Sequence, residues 1–330
     1  MKRSAILLFG LATYAVFFAT FLYLIAFTGN LQATGLVAWL PMLPALVPHS
    51  VDVGGQATPL AVAVLINLGL VLVFGLQHSV MARLGFKAWL KQRLPASAER
   101  SVYVLLSSLV LMLLFWQWRP LPDLLWSAST PLGQGIGWAV FAGGFGLVLL
   151  STFLIDHFDL FGLRQVWQQF IGRAERGHAF VTPLLYRLVR HPLYLGFILA
   201  LWGGPTMTVG HALFAGALTT YILIAIRFEE RDLVRQLGDR YMTYRQRVPM
   251  LVPSFMYEGV HNLHHIRTRY GTELDPEYLS LAHMRPSAII GFVLIAALAP
   301  AGILLRFGIL APLSLIVPPL RTLVVERFSA

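Results

Sequence analysis

Cysteine is absent from the 330 residues. That excludes disulfides, iron–sulfur clusters, cysteine-based zinc sites and a cysteine nucleophile, so any covalent enzyme intermediate would fall to another residue. Charge is scarce as well: Asp, Glu, Lys and Arg make up 12% of the chain, against about 25% in an ordinary soluble domain. Acidic groups are the scarcest, 15 against 25 Lys and Arg, for a formal net charge of +10. No stretch mixes basic residues with exposed aromatics in a soluble module, so no nucleic-acid partner is expected. The excess reads instead as the positive-inside bias of a membrane protein. The chain is 57% hydrophobic with a mean hydropathy of +0.69. Lipid is therefore the expected solvent, and a length that would make about two soluble domains suits a bundle of about five to seven spans.

The uncharged runs place those spans. Ala5–Thr28 contains no Asp, Glu, Lys or Arg and is long enough to cross, so we read it as a retained first helix rather than a signal peptide. Residues 30–57 carry Asp52 but no Lys or Arg and read as a loop with a short interfacial helix. A second span is expected near Leu60–Leu76, and a third over Val102–Trp118, with Trp116 and Trp118 suited to the headgroup level. A fourth is expected near Gly135–Ile155. Arg83, Lys87, Lys91, Arg93 and Arg100 crowd the second loop, and Arg164, Arg173, Arg176, Arg187 and Arg190 follow the fourth span. Both sets belong inside if the N-terminus is cytoplasmic.

From His191 to Ile226 the chain again has no charged residue. One helix of that length would overrun a bilayer core of about 30 Å, and Gly203-Gly204-Pro205 punctuates its middle as a turn would. We expect a tight helical hairpin over 191–226, with short arms and both ends inside. Arg227 to Pro253, with six Arg and four acidic residues, should form a cytoplasmic helix ending before Val248-Pro249. The fold class is thus all-α, a polytopic transmembrane helical bundle with a helical hairpin and a polar cytoplasmic region.

Ionisable groups are expensive in a membrane and mark function. Here they flank the hairpin. Arg190-His191-Pro192 is a donor-rich corner at a helix start, where Pro suits the first turn and free N–H groups favour an anion such as a carboxylate. Gly196 leaves room for close approach. Glu229 and Glu230, across the hairpin, would accept from an ammonium or a hydroxyl. A ligand bearing both carboxylate and ammonium suits such a place. The plain alternative is a loop end at the headgroups beside a solvated Glu pair that meets Arg227 and Arg231.

Arg190-His191-Pro192-x-Tyr194-x-Gly196, the uncharged hairpin, Glu229-Glu230-x-x-Leu233, Gly238-x-x-Tyr241-x-x-Tyr244 and Val248-Pro249-x-x-x-Pro253 resemble the core of the isoprenylcysteine carboxyl methyltransferases and their phospholipid-methylating relatives. With Gly75-Leu-Gln-His78-Ser, Phe115-Trp-Gln-Trp-Arg-Pro and the run Ser151 to Gln165 around Asp156-His157, the resemblance is to the bacterial methanethiol S-methyltransferase branch, over about residues 5–254. It implies a multi-pass protein of the bacterial inner membrane that moves a methyl group from S-adenosylmethionine to a small thiol, giving dimethyl sulfide from methanethiol. It implies a cofactor site lined by His178, Phe180, Val181, Tyr186, His191, Pro192, Leu193, Tyr194 and Glu229, to which the reading of the residues adds Arg190, Gly196 and Glu230. The isoprenylcysteine enzymes carry an arginine one turn before the matched glutamate, where this chain has Ala225, which fits a substrate without a carboxylate.

A thiolate is the nucleophile in such chemistry, and a neutral histidine or a carboxylate could take the proton. His78, Asp156 and His157 sit at expected inner span ends and are candidates, as is Arg227 for a substrate-side role; no general base is assigned. The alternatives are a related methyltransferase acting on an isoprenoid carboxylate or lipid amine, and a non-enzymatic membrane or transport protein. The methyltransferase is expected in residues 1–254 and an extension in 255–330, with one or two further hydrophobic segments. His261-Asn-Leu-His264-His265 is similar to one histidine box of membrane di-iron desaturases, but no second cluster accompanies it, and no metal is expected.

Overall fold

The computed structural model describes residues 3–56, 58–173 and 182–252. His178, Phe180, Val181 and the extension with His261, His264 and His265 lie outside the described residues. Two compact units are distinguished: residues 1–187 with 191–243, and residues 188–190 with 244–330.

The first unit is built from helices in chain order. They are α1 (Arg3–Thr28), α2 (Leu43–Leu46), α3 (Leu60–Ala82), α4 (Leu84–Lys91), α5 (Ala96–Gln117), α6 (Pro131–Ile155), α7 (His157–Leu160), α8 (Leu163–Phe170), α9 (Pro192–Trp202) and α10 (Val209–Leu237); a further helix, α11 (Asp239–Arg247), has its residues from Tyr244 onward in the second unit. Among the described residues, α1, α3, α5, α6 and α10 are long and apolar enough to cross a membrane. Leu8, Leu65, Leu72 and Leu132 are exposed on them. A helix apolar on its outer face has lipid rather than water as its neighbour, and the chain is a multi-pass integral membrane protein. Two short strands, β1 (Leu124–Ser127) and β2 (Thr206–Thr208), pair antiparallel.

Without a hydrophobic force between helices in lipid, close packing of small residues takes its place. The α6–α9 pair shows it. A Cβ on Gly144 would lie 2.4 Å from the Ala200 nitrogen, and one on Gly196 would lie 2.8 Å from the Gly144 carbonyl oxygen. A Cβ on Gly203 would meet the Phe141 nitrogen at 2.6 Å. The space that the sequence offered at Gly196 to a ligand is therefore filled by the α6 backbone.

Two expectations change. The second arm of the hairpin is not short. Helix α10 runs unbroken for 29 residues through Ile226-Arg227-Phe228-Glu229-Glu230 and stops at Gly238, whose φ is +56°. Nothing in that stretch breaks a helix, and the arrival of charge marks the edge of the apolar layer rather than the end of the element. At about 1.5 Å per residue, such a helix outreaches a hydrocarbon core of about 30 Å. Trp118, expected at the headgroups, is 1% exposed and donates through Nε1 to the Val51 carbonyl at 3.1 Å. Its neighbour Trp116 is exposed.

Candidate functional site

Helix α9 begins at Pro192, with His191 as its N-cap and no side chain capping the first turn. Its leading N–H groups remain available to an anion. Across the hairpin, α10 carries Glu229 and Glu230, and adjacent positions on a helix point about 100° apart. The two carboxylates accordingly take different partners from α9. Tyr194 Oη donates to Glu229 Oε2 at 2.8 Å, and His191 Nε2 donates to Glu230 Oε1 at 3.1 Å. His191, Pro192 and Glu230 are buried, whereas Leu193, Tyr194 and Glu229 are half-buried. Glu230 is thereby held as the partner that orients His191, and Glu229 is the carboxylate with an open side.

Helices α3 and α5 bring further groups to this charged end. Tyr103 Oη lies 2.7 Å from His78 Nε2, and His78 Nδ1 lies 3.2 Å from Ser107 Oγ. Tyr221 Oη lies 3.3 Å from Ser79 Oγ. The Tyr221 ring rests on Gly75, where a Cβ would come within 2.8 Å of it. Tyr103, Tyr194 and Tyr221 all lie within electrostatic reach of Glu229. Arg83 pairs with Asp232 at 2.9 Å and covers the Phe228 ring, tying α3 to α10. Burial, reinforced by Arg100, holds the Lys87 ammonium below its ordinary value.

The remaining sequence candidates lie apart from this group or take other partners. His157 Nε2 meets Tyr14 Oη at 2.8 Å and its Nδ1 meets Thr152 Oγ1 at 2.8 Å, with the ring stacked on Phe153. Burial holds His157 below its ordinary value against the opposing charge of Asp156. Asp156 caps α7 and pairs with Arg164. Arg227 is exposed. Tyr186 sits in a short 3-10 turn, Leu184–Arg187. In the second unit, Arg190 donates from its guanidinium to the carbonyls of Arg245 (3.0 Å) and Val248, and from its backbone to Pro249. It organises its own loop through backbone oxygens.

Sequence reasoning missed Tyr103 and Tyr221. Each sits in an apolar run as an ordinary span residue would. Only the pairing of α3 with α5 and α10 brings them to His78 and Ser79.

The set fits S-adenosylmethionine. The uncapped α9 N-terminus suits its carboxylate, Glu229 its ammonium, and the His191 and Tyr194 rings, 5.6 Å apart, an apolar or planar portion.

Residues 65–247 match the NnrU protein family. The methanethiol S-methyltransferase 2 of Bradyrhizobium diazoefficiens is 51% identical over 254 residues, 76% of this chain and 91% of that one. The methanethiol S-methyltransferase of Mycobacterium tuberculosis is 47% identical over 253 residues, 77% and 98% of the two chains. A ceramide hydroxylase of Caulobacter vibrioides is 55% identical over 83 residues, 25% of this chain and 24% of its own. No solved structure matches.

Proposed function

The chain belongs to the methanethiol S-methyltransferase family within the NnrU group, and from that premise we propose that it methylates methanethiol to dimethyl sulfide with S-adenosylmethionine as donor. One observation carries the reading to the residues. At the charged end of the hairpin, two α9 side chains divide the Glu229-Glu230 pair between them and leave Glu229 open beside an uncapped helix start. When bound there, S-adenosylmethionine supplies a sulfonium-activated methyl group. The protein's part is to hold donor and acceptor in line and to keep water away. His191, Tyr194, Glu229 and the α9 N-terminus would hold the cofactor, and Glu230 would fix His191. We add Tyr186, Pro192 and Leu193, and the sequence-implied His178, Phe180 and Val181, as its wall.

A charged cofactor must arrive from water, whereas a small apolar thiol dissolves in lipid; a site where charged helix ends meet apolar spans serves both. Positive-inside loop charges favour an inner-membrane protein with a cytoplasmic N-terminus and this site on the cytoplasmic side. Ala225, where an arginine would anchor a carboxylate, favours a small thiol over an isoprenoid acid. We assign the methyltransferase to residues 1–254. A single His261/His264/His265 cluster does not make a di-iron centre, so no activity is assigned to 255–330.

Headspace gas chromatography of cells expressing the chain and fed methanethiol tests the proposal. Dimethyl sulfide is expected, and its absence with verified expression would remove the thiol assignment. Calorimetry in detergent tests the cofactor separately.

A further inference from the structure

We infer that a groove between α1 and α8 binds an anionic phospholipid, with the lipid phosphate on Arg164 and an acyl chain against the groove's apolar wall. The groove shares no residue with the proposed cofactor site. It has a volume of about 340 Å³ and is lined by Leu7, Leu11, Phe158, Leu163, Arg164 and Trp167. That volume falls within the range of about 300–1,000 Å³ that ligand pockets occupy. All of its lining is apolar except the Arg164 guanidinium. Leu7 and Leu11 stand four residues apart on α1 and so form one strip of it, and Leu163 and Trp167 repeat that spacing on α8. The α1 wall belongs to a helix long and apolar enough to cross a membrane. Leu11, Phe158 and Trp167 are exposed. In a bilayer, hydrocarbon is what such a surface meets, and a tryptophan beside it suits the headgroup level.

The charges around the groove choose the headgroup. Helix α8 runs back along the first turns of α1. A Cβ on Gly10 would lie 2.6 Å from Val166 Cγ2, and one on Gly172 would lie 3.0 Å from a guanidinium nitrogen of Arg3. Arg3 is also one turn before Leu7, at the head of the same strip of α1, and Arg173 follows Gly172. Two acids stand nearby, and both are engaged. Asp156 pairs with Arg164 through Oδ2 and accepts the Asp159 amide through Oδ1. Asp159 Oδ1 accepts from Gln165 Nε2 at 3.2 Å. The contact with Asp156 uses one nitrogen of Arg164, whose side chain is 44% exposed. A guanidinium has about five N–H donors, so donors are left for a phosphate, and Asp156 holds the group in place to offer them. Arg3, Arg164 and Arg173 outnumber Asp156 and Asp159. A headgroup that is negative overall lowers that excess, whereas a choline would add a further cation to it.

Native mass spectrometry of the purified full chain in detergent tests the site, with melting temperatures taken on the same samples. The probes are dioleoylphosphatidylglycerol, dioleoylphosphatidylcholine and inorganic phosphate. Phosphatidylglycerol should bind at least about tenfold more tightly than phosphatidylcholine, the factor expected of a single hydrogen bond to a charged group. Arg164→Gln should weaken phosphatidylglycerol by about that factor and close the gap between the two lipids. Because this change also breaks the pair with Asp156, Arg164→Lys is the control: it keeps the charge and should keep the preference for phosphatidylglycerol. Leu11→Trp fills the groove, leaves every charge in place and should weaken both lipids. Equal affinity for the two lipids in the unmodified chain would overturn the inference, as would unchanged phosphatidylglycerol binding in either Arg164→Gln or Leu11→Trp. A melting temperature raised as much by inorganic phosphate as by phosphatidylglycerol would also overturn it, by showing a site for a free anion.

Discussion

The α9–α10 hairpin has two ends, and both hold buried polar groups, yet they are wired differently. At the turn end the partners are mostly backbone. Gly204 and Ala128 donate to the Gly137 and Pro205 carbonyls, Val209 and Gly210 to Asp123 and Leu121, and His211 Nε2 to Leu201 at 2.8 Å. Thr208 Oγ1 accepts from the His211 amide and donates to Asp52 Oδ1. At the charged end the partners are side chains: His191 with Glu230, Tyr194 with Glu229, Tyr103 with His78. Backbone partners fix a chain path. Side-chain partners fix the aim of groups that then have another face to offer. The first end holds the hairpin shut, and the second, on the function proposed, would present its side chains to the cofactor.

The largest effect that could break this contrast is at Glu229. On the function proposed, replacing it by Ala would remove a charged contact to the cofactor ammonium, worth about 3 kcal/mol at the upper end for such bonds, or about a hundredfold in kcat/KM. The melting temperature in detergent should move little, because Glu229 is half-buried. Calorimetry and scanning fluorimetry on one preparation measure both. A collapse of stability with cofactor binding intact would mean that this end too is structural.

Gly144→Val should do the reverse. Its Cβ would meet the Ala200 backbone nitrogen at 2.4 Å, and backbone cannot turn aside as a side chain can. The expected cost is about 2 kcal/mol from overpacking, seen as a lower melting temperature. Cofactor affinity per folded molecule should be retained.

Much of this contrast was legible in the sequence. Missing charge placed four spans and the hairpin, because a residue that cannot be hydrated must lie in lipid or protein. The same rule failed at Arg227. Charge reports where water begins, not where hydrogen bonding along a helix stops, so α10 was cut short. His191 and Glu229 were legible because they stand at the edges of an uncharged run. Tyr103 and Tyr221 were not, since a tyrosine hydroxyl in a span shows no period and its partners come from other helices. Gly196 was legible as a close approach, but a sequence cannot say whether a ligand or a neighbouring helix approaches.

Thr208→Val is the gentler test of the turn end. It keeps the shape and removes both the cap on His211 and the bond to Asp52, at an expected cost of about 1 kcal/mol. Stability in detergent should fall by that amount, and the rate with methanethiol should stay near that of the unmodified chain. A large loss of rate would show that the two ends communicate along the hairpin.

The smallest effect sharpens the comparison by pH. Asp52 lies in the loop before α3, and burial raises its carboxyl above the ordinary value, although the Thr208 hydroxyl and the charge of His211 pull it back. A carboxyl that holds its proton more tightly folded than unfolded stabilises the fold while it is protonated. That contribution is complete below the unfolded value and is lost as pH rises through the folded one. Asp52→Asn keeps the shape and cannot titrate. The unmodified chain should therefore lose stability relative to Asp52→Asn as pH climbs out of the carboxylate range, with the difference levelling off toward neutrality. Thermal unfolding of both proteins across that range measures it. A parallel pH response in the two chains would show that Asp52 is solvated rather than buried.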